Sequence, residues 1–447
     1  MGGFVAPAPV DPINLSIQPG PTYGFNTMIA GPYPYGGNLY TVLATYAATP
    51  VINVFKSTDG GLTWSTALNP GGAPAQLSFE SSFDGIHTLN IVISGDGTNT
   101  QIASFNLATE TWGAPGATLN GLFPYVILSR SDGSCVVAGT DTATGLHIDY
   151  AIFSAGTWGA QSHLDTNAYA AMVAPAGVNS CFGIVDSTNR CHFVFDFTDN
   201  NGGFVEDIFY QAVSPAGALA AFFQFPNVGT VITGELSGFR SVPGLTSNAV
   251  VFPIATINGP NNELSVYIGT PLAAPVWTLH QTIDPGHTTP GNVGYDQASA
   301  RLSGGVLRII YSPDFINIRV CQTTDFVTFV FTNSTVFNIN TSLTPPGFVF
   351  AGQSVFNELS VAQGTEFTAL APDQSTLQRF FMPFISAGGV VSSPFSRVLS
   401  GSRRKDCPPS VKTNLDWGAF SQAVEDLRPP DVEEVRVPPC GGMLRTN

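Results

Sequence analysis

The sequence predicts an all-β protein: a seven-bladed β-propeller of four-stranded antiparallel blades, followed by a C-terminal extension with one helix. Three observations predict it. Short strand-like runs separated by Gly-, Asp- and Ser-rich turns fill the chain as far as residue 400. Tryptophans recur at a near-regular interval within those runs. Sustained 3.6-residue periodicity is confined to residues 401–447.

The 447 residues are 43% hydrophobic and only 11% charged, against about 25% charged in an average soluble chain. With 33 Phe and 12 Tyr, the chain has ample material for a packed core, which excludes a disordered protein. The 47 Gly and 34 Pro follow no triplet period, which excludes collagen. Apolar runs are short and broken, so no membrane-spanning helix is expected. The opening MGGFVAPAPVDP has neither a basic nor an apolar leader region, so no secretory signal is expected. The formal net charge is −15, and no basic stripe precedes the tail. Phosphate neutralisation needs such a stripe, so nucleic acid is disfavoured as a partner. The six Cys form no C-x-x-C, and Cys135, Cys181, Cys191 and Cys321 lie in strand-like runs as buried free thiols.

The repeat register runs through Trp64, Trp112, Trp158, Leu219, Trp277, Phe329 and Val391, spaced about 54 residues apart on average. That gives seven units, with six and eight as the neighbouring counts. Residues 123–158 show the grammar of one unit. An apolar run meets the turn at 131–134, a second run leads to a polar loop at 141–146, and a third run turns through Ser154-Ala155-Gly156 into Thr157-Trp158. Residues 83–112 repeat it. Asp-Gly turns between apolar runs mark hairpins, because Asp and Gly tolerate the backbone of tight turns. A single such sheet cannot cover both its faces. A ring of them can, and it leaves only short edges. Residues 1–16 form an N-terminal arm, 17–400 the propeller, and 401–447 the tail. Val10–Gln18 is expected to be a strand that closes the ring beside residues 396–399.

Ser57-Thr58-Asp59-Gly60-Gly61-Leu62-Thr63-Trp64 matches S-x-D-x-G-x-T-W, and so resembles the Asp-box of sialidase-like (BNR-repeat) propellers. The stretch 322–329, ending in Phe329, matches in part, and Trp112 and Trp158 keep the Thr-Trp end. The resemblance implies a hairpin between the third and fourth strands of a blade, at its periphery. Ser57, Asp59, Gly61, Thr63 and Trp64 would then be structural, and Trp112, Trp158, Trp277 and Phe329 would pack the repeats. The family's chemistry implies three Arg, a Tyr–Glu pair and an Asp. Here no Arg precedes Arg130, and Phe239-Arg240-Ser241-Val242-Pro243 is only a loose echo of the family's first Arg motif. The family's site is therefore not carried over, and no catalytic residue is assigned.

Other glycosidases need two carboxylates at a set separation. Glu80, Asp84, Asp149, Glu206, Asp207 and Asp296 lie near strand ends, where turn and solvated roles are the ordinary ones. His87, His147, His163, His192, His280 and His287 form no metal-ligand spacing, and Cys191-His192 would face opposite sides of a strand, so no metal and no cofactor are expected. Tyr33, Tyr35 and Tyr40 are either packing residues or platforms for sugar rings.

The tail differs. Arg403-Arg404-Lys405 precede a helix expected over 413–427, with Leu415, Trp417, Phe420, Val424 and Leu427 on one face and Pro429-Pro430 ending it. Cys407 and Cys440 bracket this helix and are candidates for a disulfide. The composite reading is a non-catalytic propeller that serves as a structural or binding component of a larger assembly, a virus or phage particle or a cell-surface adhesin. Its tail would dock to protein partners or to further copies of the chain. The alternative is a glycan-processing enzyme or a glycan-binding lectin. Neither nucleic acid nor membrane insertion is expected.

Overall fold

The computed structural model describes residues 13–16, 28–44, 52–58, 65, 68, 78–94, 98–199 apart from 115, 205–226, 240–258 and 261–287, and then seven strands between 297 and 384. The chain is a β-propeller, and its described strands form seven sheets.

Strand β1 (Ile13–Ser16) belongs to the last sheet. The first sheet holds β2 (Met28–Tyr35), β3 (Asn38–Ala44) and β4 (Ile52–Ser57). The second holds β5 (Ser78–Phe83), β6 (Thr88–Ser94), β7 (Asn99–Asn106) and β8 (Thr111–Trp112), with β9 (Leu119–Asn120) also on β7. The third holds β10 (Leu122–Ser129), β11 (Cys135–Asp141), β12 (Ile148–Ser154) and β13 (Thr157–Trp158), with β14 (Ser162–His163) also on β12. A helix, α1 (Thr166–Ala171), leads to the fourth sheet of β15 (Pro175–Val185), β16 (Cys191–Asp199), β17 (Val205–Val213) and β18 (Leu219–Gln224).

After β19 (Arg240–Val242), the fifth sheet holds β20 (Gly244–Leu245), β21 (Val250–Asn258), β22 (Asn261–Thr270) and β23 (Val276–His287). The sixth holds β24 (Gln297–Ser303), β25 (Val306–Tyr311), β26 (Asn317–Thr323) and β27 (Thr332–Asn338), with β19 alongside β24 in parallel. The seventh holds β28 (Leu359–Ala362), β29 (Thr365–Pro372) and β30 (Gln378–Phe384), with β1 on β30. The first strands of neighbouring sheets touch in turn, β2 with β5, β5 with β10 and β10 with β15, then β24 with β28 and β28 with β2.

The core lies between sheets. Val42, Val54, Leu89 and Ile91 fill the first seam, and Val92, Ile102, Ile127 and Val137 the second. Val136, Tyr150, Phe193 and Phe209 fill the third, and Tyr210, Phe225, Phe252 and Trp277 the fourth. The middle strands β6, β11 and β16 are therefore covered on both faces. That explains why β16 (CHFVFDFTD) is buried throughout, although His192, Asp196 and Thr198 alternate with Cys191, Phe193, Phe195 and Phe197. Polar hooks reinforce the seams. Arg130 is buried and donates to the carbonyls of Ser214 and Pro215 in the β17–β18 turn, where Gly217 also accepts the Tyr150 hydroxyl. In the first seam Lys56 and Tyr40 both donate to Glu110.

Two expectations need correction. The helix α1 was not foreseen: six residues are too few to show a helical period. The strand at the N-terminal arm pairs with Gln378–Phe384, whereas its expected partner, 396–399, lies outside the described residues. Of the two roles open to Tyr33 and Tyr40, packing is the one the structure shows. Both are buried, and they bond to Ser81 and Glu110 of the neighbouring sheet.

Candidate functional site

A cluster of described polar groups lies at the end of the third sheet that carries the β11–β12 turn, where α1 leads to the fourth sheet. Two His-x-Asp triplets build this corner, His147-Ile148-Asp149 and His163-Leu164-Asp165. His147 precedes β12 and His163 ends β14. The register places Asp149 opposite His163. The triplets exchange partners: His163 Nδ1 donates to Asp149 at 2.5 Å, and His147 Nδ1 lies 3.2 Å from the Asp165 carboxylate.

Both carboxylates are held from behind. Asp149 also accepts from Gln161 at 2.6 Å, and Asp165 accepts the Ile148 N–H at 3.1 Å. Asp165 is fully buried just before α1, and its carbonyl accepts the Tyr169 N–H of the first helical turn. The Tyr169 ring lies 4.2 Å from that of His147, whose ring is 4.5 Å from that of His163. The His163 ring is stacked on His147 and the Tyr169 ring is tilted against it by 31°, so His147 is the shared member of a three-ring cluster. His163 is the outer member, its side chain 54% exposed. α1 is anchored beneath by Ala168 and Met172 in the third seam, and by Asn167 bonded to Gln211.

The bond to Asp149 raises the His163 imidazole above its ordinary value, with burial working against it and the charges of Asp165 and Asp141 adding to it. Burial raises the Asp165 carboxyl, while the Ile148 N–H and His147 oppose that rise. Asp141 closes the adjoining turn by accepting from Ala143 and Thr144. Across the seam, Asp199 accepts the N–H groups of Val173 and Ala174. Asp207 on β17 is raised by burial and then by the charge of Asp199.

Of the residues singled out in the sequence, Trp112, Trp158 and Trp277 occupy the repeat register, opposite Phe105, Phe153 and Gly269 on the preceding strand. They pack as seam residues: Trp158 packs on Phe153 and donates Nε1 to Ala117, and Trp277 packs on Tyr210 and Phe225. Ser57 is buried at the end of β4. Asp59, Gly61, Thr63, Trp64, Phe329, Cys407, Trp417, Phe420, Val424, Leu427 and Cys440 lie outside the described residues, as do Val391 and the expected helix 413–427. Cys135, Cys181 and Cys191 are buried free thiols, and burial pushes Cys135 up to about 12 and Cys191 up to about 11. His192 bonds Asp186 and Tyr210 inside the fourth sheet.

No short His-to-His spacing marks the His147–His163 corner in the sequence. The duplicated His-x-Asp triplet is the signal that finds it.

No protein-family model matches the chain, and no curated protein matches it. Solved structures resemble it in fold. The β-propeller domain of the trilobed protease from Pyrococcus furiosus is 8% identical with a TM-score of 0.45, over 81% of this chain and 96% of that one. The SapL1 lectin in complex with α-methyl fucoside is 12% identical with a TM-score of 0.39, over 71% and 98%. The α-L-arabinanase of Penicillium chrysogenum complexed with arabinobiose is 12% identical with a TM-score of 0.41, again over 71% and 98%. Identities this low leave ligand and chemistry to be argued from this chain's own residues.

Proposed function

We propose that the chain is a non-catalytic propeller that binds a glycan at the corner between its third and fourth sheets and serves as a component of a larger assembly. The observation that carries this is the ring cluster of His163, His147 and Tyr169, with the exposed His163 imidazole on its outside and Asp149 and Gln161 beside it. An aromatic face takes the C–H side of a sugar, and fixed polar groups beside it take hydroxyls. At this end of the sheets, Asp141 fastens its own turn, Asp199 holds the Val173 and Ala174 N–H groups, and Asp149 and Asp165 fasten imidazoles. A particle or surface adhesin, joined through residues 401–447, is the setting we infer.

The test is a glycan array with the full chain, paired with a product assay on each glycan bound. Binding without release of sugar, lost in His163→Ala, is the expected result. Binding that survives both His163→Ala and Tyr169→Ala would overturn the site. Deleting 401–447 and measuring mass tests the docking role, which an unchanged assembly state would dismiss.

A hydrolytic reading has one observation in its favour, the Asp207 carboxyl raised by burial and by Asp199. A general acid needs a carboxyl of that kind. Sugar release by the parent and none by Asp207→Asn would establish it in place of the binding role.

A further inference from the structure

One atom of each of His147, His163 and Asp165 lies within 4.8 Å of the other two. We propose that these three side chains bind one divalent transition-metal ion of the zinc class. Two imidazoles and one carboxylate favour Zn²⁺, Co²⁺ or Ni²⁺ over Ca²⁺ and Mg²⁺, which take oxygen ligands throughout.

The geometry is close to what such an ion needs. Zinc holds nitrogen and oxygen ligands at about 2.0–2.2 Å, which puts ligand atoms about 3.4 Å apart in a tetrahedron. Bringing three atoms from within 4.8 Å to that separation takes a movement of roughly 1 Å, together with a turn of the exposed His163 ring out of its stack on His147, because an imidazole nitrogen binds a metal in the plane of its ring. The other two ligands are pre-set. Asp165 is fully buried and fixed by the Ile148 N–H, and His147 Nδ1 lies 3.2 Å from its carboxylate, with the Tyr169 ring against the imidazole.

An outer support is also in place. Asp149 holds His163 through Nδ1, which leaves Nε2 for the ion. That is the carboxylate–histidine–metal arrangement, in which the carboxylate fixes the tautomer and ring orientation. Gln161 holds Asp149 in turn. Asp141 and Asp149 add negative charge beside the ligands, so that three carboxylates face two imidazoles. Three protein ligands leave a fourth position, on the open side of His163, for water or a ligand hydroxyl.

The experiment uses the full chain, freed of metal with EDTA and titrated with ZnCl₂ by calorimetry, with no glycan present. Its outcome is therefore separate from that of the glycan reading. The parent should take up Zn²⁺ at a site that His163→Ala abolishes. Asp149→Asn should weaken the same site by about 10–100-fold, the usual cost of losing an outer-shell carboxylate. His87→Ala, a change on the second sheet, should leave it unaltered. Circular dichroism in EDTA checks that each variant folds. Should His163→Ala fail that check, the Asp149→Asn shift decides. A parent that binds no zinc at millimolar metal would overturn the proposal, and so would a folded His163→Ala or Asp149→Asn chain with the parent's affinity and stoichiometry.

Discussion

The His163 imidazole donates through Nδ1 to Asp149 at 2.5 Å, from the strand position directly opposite. This bond gives the corner a pH dependence whose sign follows from the direction of the shift. His163 is raised in the folded chain by Asp149, so its contribution to stability is complete below its unfolded value, about 6.5, and fades as pH rises through the folded value. Replacing His163 by Gln should therefore lower the unfolding midpoint more at pH 6 than at pH 9. Thermal unfolding of both chains across that range checks it, and a difference that grows with pH would contradict it. Asp165, raised by burial, loses stability in the same direction but in the carboxylate range, below this window.

Tyr150 and Arg130 grip the same turn of the next sheet. Tyr150→Phe removes one hydrogen bond to the Gly217 carbonyl and should cost about 1 kcal/mol. Arg130→Met strips two carbonyls of their donors, in the buried third seam, and should cost about 2–4 kcal/mol. Urea unfolding of the single and double variants should show the two losses coupled, because both groups order one turn.

Gly139 lies under the bulge of β10. A Cβ there would sit 1.9 Å from the Phe123 carbonyl oxygen, a backbone atom that cannot swing aside. Gly139→Ala should destabilise by about 3 kcal/mol or more, at the upper end of what overpacking costs. Gly177→Ala, with nothing within 4 Å of the added carbon, is the matched control and should change little. Both are read from the denaturant midpoint.

The tryptophans of the repeat register should differ in weight. Trp277 is buried among Tyr210, Phe223 and Phe225, so Trp277→Ala should cost about 3–5 kcal/mol. Trp158 is half-buried, and Trp158→Phe keeps its packing on Phe153 while losing the Nε1 bond to Ala117, for about 1 kcal/mol. Equal losses in equilibrium unfolding would show that the register is a matter of sequence alone.

The strand grammar was legible because local chemistry writes it. Asp132 accepts the Ser134 N–H and Gly133 sits at φ +82°, so the turn at 131–134 is fixed by its own residues. Asp84 does the same for Ile86, His87 and Thr88. The spacing of Trp112, Trp158 and Trp277 was legible for a related reason, since each is the second residue of the strand that follows a turn. Long-range pairing has no such local mark. Nothing in 13–16 names 378–384 as its partner. Tyr33 and Tyr40 look exposed beside Pro and Gly, and only the second sheet buries them. The cross-bonded His-x-Asp triplets depend on the register of β12 with β14, which the sheet sets and the spacing does not reveal.

The account rests on sheets wound into a closed ring, and an experimental density map at side-chain resolution tests that most directly. It should show seven sheets around one axis, β1 hydrogen-bonded to β30, and Trp112, Trp158 and Trp277 at one shared register. Sheets stacked as a sandwich or strung in an open row, or those three indoles in unlike surroundings, would contradict it.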